Sequence, residues 1–121
     1  MDALEGIWGE DEGRIRERLE SLDPDLAAYI EGFAYREVLS RDGLDLKTRE
    51  LLAITSLVAL GSPPEIATHF RGALKNGATE AEIKETLLQA ALFFGFPRAI
   101  AAFECWRKFR KKQDGALEDT E

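Results

Sequence analysis

Glu50-Leu-Leu-Ala-Ile-Thr-Ser-Leu-Val-Ala-Leu-Gly-Ser62-Pro-Pro-Glu65-Ile-Ala-Thr-His69 is one helical pattern running through a sharp break into another. Between Leu51 and Leu60 only Thr55 and Ser56 are polar, so this helix is apolar nearly all round and belongs at the centre of a bundle. Gly61 ends it. Ser62-Pro63-Pro64-Glu65 then reads as an S-x-x-E capping box with proline in the first turn of the next helix. That second helix carries His69, the only histidine in the chain.

Working outward, helical periodicity continues in both directions, and no stretch alternates cleanly enough to be a strand. Asp11 to Leu22 places Ile15, Leu19 and Leu22 on one face. Asp23-Pro24 caps a helix carrying Leu26, Tyr29, Ile30 and Phe33, which fades near Ser40. Asp45 caps the central helix. The His69 helix buries Ile66, Phe70, Ala73 and Leu74 and closes at Asn76-Gly77. Thr79-x-x-Glu82 is a second capping box, followed by Ile83, Leu87, Ala91 and Phe94 and a stop at Gly95. Pro97 opens the last helix, with Ile100, Phe103, Trp106 and Phe109 as its stripe. The expectation is an all-α domain of six helices. The aromatic content of the last two helices exceeds what one small core needs, which points to an oligomeric interface.

The chain has 121 residues, enough for one core but not two, and is 45% hydrophobic and 32% charged. No apolar run approaches a membrane span and no charged-then-apolar leader stands at the start, so a cytoplasmic, bacterial protein with no membrane partner is expected. The net charge of −7 is uneven. Residues 1–23 hold eight acids against three bases and form an acidic helical segment. Residues 24–113 form the main helical domain, and 114–121, with four acids and no base, an acidic disordered tail. The bases Arg107, Lys108, Arg110, Lys111 and Lys112 end a helix, where they complement its dipole; no nucleic-acid partner is expected. One cysteine, Cys105, cannot form an intramolecular disulfide, and a single histidine is too few for the usual zinc sites, so no metal is expected.

Glu50, Glu65 and His69 make a small proton-transfer set. An imidazole moves protons near neutral pH, and a partly desolvated Glu50 could partner it. Glu65 stands four residues before His69, within reach to orient it. For Ser62 and Glu65 the capping box is itself a sufficient explanation. Among the arginines, guanidinium groups suit a substrate carboxylate, although most helical arginines are simply solvated.

The run Arg41-Asp-Gly-Leu-Asp-Leu-Lys-Thr-Arg-Glu50-Leu-Leu-Ala-Ile resembles the carboxymuconolactone decarboxylase family. So does His69-Phe-Arg-Gly-Ala-Leu-Lys-Asn-Gly-Ala-Thr-Glu-Ala-Glu-Ile-Lys-Glu-Thr-Leu-Leu-Gln-Ala-Ala-Leu-Phe-Phe-Gly-Phe-Pro97. The resemblance covers roughly Ala34 to Phe109. It implies the helical fold shared with alkylhydroperoxidase D and assembly into a homo-oligomer, a trimer or hexamer. The peroxidase branch places a redox-active cysteine pair where this chain has Ser62 and Glu65, which excludes dithiol chemistry here. The decarboxylase branch lacks that pair and acts without cofactor on an acidic lactone. By that likeness Glu50 and His69 are the catalytic pair. Arg71, in His69-Phe-Arg71, together with Glu65, Ser62 and Gln89, would bind a small acidic substrate. Gln89 stands where the family usually has another histidine, and it cannot carry a proton at neutral pH. A member that binds ligand without turnover is the alternative.

Overall fold

Asp45 opens the central helix α4 (Leu46–Ala59) in the way its sequence implies: its carboxylate accepts from the Thr48 backbone N–H at 2.7 Å. The computed structural model describes the backbone of residues 2–119 and the side chains of residues 2–115. Ahead of α4 come α1 (Ala3–Ile7), a 3₁₀ turn (Gly9–Asp11), α2 (Glu12–Leu22), α3 (Pro24–Tyr29) and a π-helical segment (Ile30–Val38). After it come α5 (Ile66–Lys75), α6 (Glu80–Phe94) and α7 (Phe96–Asp119). The described residues are all-α, as the periodicity requires.

Among the described residues seven α-helices replace the expected six. The addition is α1, whose five residues are too few to show periodicity. Asp2 caps it, and it buries Leu4, Ile7 and the following Trp8. The N-terminal segment thereby adds apolar side chains to the packed interior. Asn76, the C-cap of α5, donates to the Gly6 carbonyl at 2.8 Å, and α1 packs along α5.

The expected helix from Pro24 onward changes character at Ile30. In a π-helix the hydrogen bonds run five residues back, as in Leu39 N–H to the Ala34 carbonyl at 2.9 Å. The face aligned with Ile30 therefore returns at Tyr35 rather than at Phe33. Tyr35 is buried, while Leu26, Tyr29 and Phe33 of the expected stripe point outward. Leu22 of α2 is likewise exposed.

Two hydrophobic clusters result. The larger gathers Ile54, Val58, Phe70, Ile83, Leu87 and Trp106 from α4 to α7, with Phe70 centred against the Trp106 and Phe109 rings at 5.0 and 5.7 Å. The smaller holds Leu4, Ile7, Trp8 and Tyr35, with Trp8 and Tyr35 ring centroids 4.7 Å apart. Of the aromatics suspected of serving an interface, Trp106 and Phe109 are core, whereas Phe93 and Phe96 are three-quarters exposed. The central helix is buried on one side only, at Glu50, Ile54 and Val58; Leu52 and Leu60 face out.

At the α4–α5 junction the expected capping box does not form. Gly61, at φ +93°, and Ser62, at φ +57°, end α4 instead. Their backbone N–H groups return to the Val58 and Leu57 carbonyls at 3.0 and 2.8 Å, a Schellman closure. Glu65 occupies the N-cap position of α5 without a capping side-chain bond. With Ser62 held in this left-handed closure, its hydroxyl makes no bond to the N–H groups that open α5. The Thr79–Glu82 box does form, with both reciprocal bonds. At the other end, α7 runs through Asp119, into the stretch 114–121 that was expected to be an acidic tail. Gln113, Ala116, Leu117 and Glu118 are all good helix formers, and the one Gly115 among them does not stop the helix. Residues 120–121 of that tail lie outside the described residues. Among the described residues no helix is long and apolar enough to cross a membrane.

Candidate active site

Helices α4 and α5 pack side by side, which sets Glu50, one turn into α4, against His69, one turn into α5. Glu50 is completely buried, and its Oε2 lies 2.7 Å from His69 Nδ1. A hydrogen bond at that distance needs one proton between the two atoms. With Glu50 ionised the proton is on Nδ1, and the ring's other nitrogen, Nε2, has no hydrogen-bond partner among the described residues. Glu50 Oε1 also has none. Burying a carboxylate with one oxygen unpaired is costly and contributes nothing to folding, which makes this pair the candidate for chemistry.

Space for the carboxylate comes from Gly72, one turn after His69. A Cβ there would lie 2.7 Å from Glu50 Oε2 and 3.2 Å from an Ile7 methyl. Helix α5 therefore presents a bare backbone to Glu50, at the helix-propensity cost that glycine carries.

His69 is mostly shielded, with 15% of its side chain exposed, and opens into a hollow of about 150 Å³ between α2, the π segment and the start of α5. Trp8, Leu19 and Ile30 give it an apolar wall, while Arg14 and Arg18 of α2 and Glu65 line its polar side. Thr68 and Tyr35 are the remaining polar groups. Burial pushes the Tyr35 phenol up to about 12, contact with Trp8 works against this, and the nearby Glu50 charge adds to it. The phenol is therefore a neutral donor at any ordinary pH. In α2, Arg16 is held by Glu12 at 2.8 Å and by Glu31 of the π segment, and those bonds keep the Glu31 carboxyl below the usual range. This ties α2 down as the outer wall.

Of the residues singled out from sequence, Glu50 and His69 come together, while Glu65 lines the same hollow as His69 without a hydrogen bond to it, its carboxylate lying 3.7 Å from Arg18 instead. Arg71 does not join them. It is two positions after His69, and residues spaced by two on a helix point in different directions. Its Nη1 lies 3.0 Å from Asp11 Oδ2, an ion pair at that distance although the groups are not aligned as a hydrogen bond. Arg71 and Ser62 line a separate cavity of about 490 Å³ beside Cys105 and Lys108. The Ser62 hydroxyl is buried without a partner. Gln89 is exposed in a third groove, between α4 and α6, with Leu52 and Phe93. A wider hollow of about 570 Å³ between α6 and α7 holds Glu80, Lys84, Glu104 and Arg107. These opposite charges carry no proton-transfer pair, and His69 is not among its walls. Among the described residues no group of three or more His, Cys, Asp or Glu side chains gathers as a metal site would need.

Sequence reasoning passed over Trp8, Arg14, Arg18, Tyr35 and Gly72. A glycine in the middle of an amphipathic helix and two arginines one helical turn apart were the available signals. Tyr35 gave none, because the π register hides it.

The sequence profile of the Carboxymuconolactone decarboxylase family matches residues 24–108. A 4-carboxymuconolactone decarboxylase of Acinetobacter baylyi is 40% identical over 89 residues, covering 74% of this chain and 66% of that protein. The nitrosuccinic acid decarboxylase npaB of Metarhizium robertsii is 41% identical over 73 residues, covering 60% of this chain and 51% of that protein. An uncharacterized 15.0 kDa protein from the nqo9-nqo10 intergenic region of Paracoccus denitrificans is 34% identical over 98 residues, covering 79% and 73%. The chain thus spans just under two thirds of the first relative's length and about half of the second's. With the profile running over most of its length, the chain belongs to the carboxymuconolactone decarboxylase family.

Proposed function

We propose that this protein is a cofactor-independent decarboxylase of a small carboxylated molecule, in which Glu50 and His69 handle the proton. The observation that carries the reading is the 2.7 Å contact between a fully buried carboxylate and the only imidazole in the chain, at the edge of a hollow. The two relatives named as decarboxylases support it.

Decarboxylation breaks the bond between a carbon and its carboxylate. The electron pair passes into an acceptor group on the substrate itself, carbon dioxide leaves, and a proton must then reach that carbon. His69 Nε2 is the donor, and Glu50 holds the ring from the other side and balances the positive charge it bears while Nε2 is protonated. Tyr35 stays neutral and offers a hydrogen bond without competing for the proton. The protein works as a homo-oligomer, a trimer or hexamer, with its exposed apolar face covered.

The test is turnover of 4-carboxymuconolactone and of nitrosuccinic acid by wild type and by His69→Asn. Asparagine places its Nδ2–H where Nδ1–H stood and so keeps an N–H for Glu50, whereas His69→Ala would strand a buried carboxylate and cost about 3–5 kcal/mol of stability. The expected result is a folded His69→Asn protein slower by about 10²–10⁴-fold. Turnover at the wild-type rate in that variant sinks the assignment.

A further inference from the structure

We propose that Arg14 and Arg18 are the carboxylate-binding residues of the His69 pocket and make it selective for substrates with a second acidic group that is not lost. The proposal rests on the decarboxylase reading above. Both arginines line the hollow that His69 lines. They stand one turn apart on α2 and so face the same way. Their present partners hold them loosely: Arg14 is 3.4 Å from Asp11 and Arg18 is 3.7 Å from Glu65, and both side chains are more than half exposed. An incoming carboxylate, bound bidentately, displaces such contacts readily. Arg16, between them, is fixed to Glu12 and Glu31 and is not available.

The chemistry then divides the pocket. A cation on the departing carboxylate would stabilise the ground state, because that group loses its charge as carbon dioxide forms. The departing carboxylate therefore belongs against the apolar wall of Trp8, Leu19 and Ile30, and the arginines hold the group that stays. Helix α2 lies outside the matched residues 24–108, so this selectivity comes from the N-terminal segment, not from the shared domain.

Succinate and its monoamide, succinamate, are the probes, with binding measured by calorimetry on the full chain. Wild type should bind succinate more tightly than succinamate. Arg14→Gln with Arg18→Gln should weaken succinate by roughly ten-fold or more and erase the preference, and Arg18→Lys should keep part of it. Glu65→Gln, which releases Arg18, should tighten succinate. A double variant that binds succinate as wild type does overturns the proposal, and so does a wild type that binds neither probe or does not distinguish them. His69→Asn separates the two ideas: it should bind succinate normally and fail to turn over at the wild-type rate. If it turns over at that rate while the arginine variants lose succinate, the proton-transfer reading falls and the arginine assignment stands.

Discussion

Gly72 stands so close to Glu50 that a methyl group on it would lie 2.7 Å from the Glu50 Oε2 that bonds His69. The opposing atom is the end of a side chain, but that side chain is fully buried, and an Ile7 methyl closes the other flank at 3.2 Å. Gly72→Ala therefore turns the carboxylate away from the imidazole. Helix propensity returns up to about 1 kcal/mol, against an overpacking cost of about 1–3 kcal/mol. The expected protein is folded, slightly less stable, and at least about ten-fold slower. Because the chain has one histidine, the ¹⁵N spectrum of its imidazole reads the Nδ1 bond directly. An unchanged imidazole spectrum in folded Gly72→Ala would show that Glu50 does not need the gap.

How far the sequence reached is clearest at this pair. The apolar stretch behind Glu50 and the amphipathic stripe of α5 made two packed helices inevitable, and the chemistry of the two side chains made them worth pairing. Arg71 was less legible because adjacency in a motif is not adjacency in space: two residues along α5 turn a side chain from one cavity to another. Ser62 and Glu65 satisfy the S-x-x-E pattern, yet Gly61 had already committed the backbone to a left-handed closure that carries Ser62 with it. Trp8 and the α2 arginines belong to short or polar segments whose burial depends on tertiary packing, which local periodicity does not encode.

Tyr35 gives a pH test of the π segment. Its ionisation is pushed up to about 12 mainly by burial, above the ordinary value near 10 in the unfolded chain. A raised folded value means the stabilising contribution is complete below about pH 10 and is lost as pH rises toward 12. Wild type should lose stability across that window, and Tyr35→Phe should lose correspondingly less. The difference between their absorbance titrations isolates the same phenol. A Tyr35 midpoint near 10 would mean the residue is not buried as described.

Ser62 separates a structural role from a binding one. Its φ of +57° costs a side-chain-bearing residue about 1–2 kcal/mol, and its buried hydroxyl lacks a partner. Glycine removes both penalties and gives back part of the gain as unfolded-state entropy. Ser62→Gly should stabilise the fold by about 1 kcal/mol in denaturant melts and leave turnover unchanged. A stabilised variant with impaired turnover would return Ser62 to the substrate.

The outward face of α4, α6 and the start of α7 carries the case for assembly. Leu92, Phe93 and Phe96 are each about three-quarters exposed or more, and Leu52, Leu60, Leu88 and Ile100 are also exposed. Side chains of this size gain about 1.5–3 kcal/mol each when fully removed from water, so a partner surface that covers even a few of them outweighs much of the cost of association. Phe93 also lines the α4–α6 groove that holds Gln89 and Leu52. Light scattering should give wild type a mass three or six times the 13.5 kDa of one chain. Leu92→Lys combined with Phe93→Lys adds two charges that such an interface cannot bury, and neither residue touches the buried core, so the variant should fold and shift toward monomer. Succinate binding then tells whether the pocket is built by one chain: a folded monomer that still binds it completes the Arg14–Arg18 site alone, and one that has lost it borrows a wall from its neighbour. A wild type that scatters as a monomer removes the assembly from the proposal and leaves this apolar face without a partner.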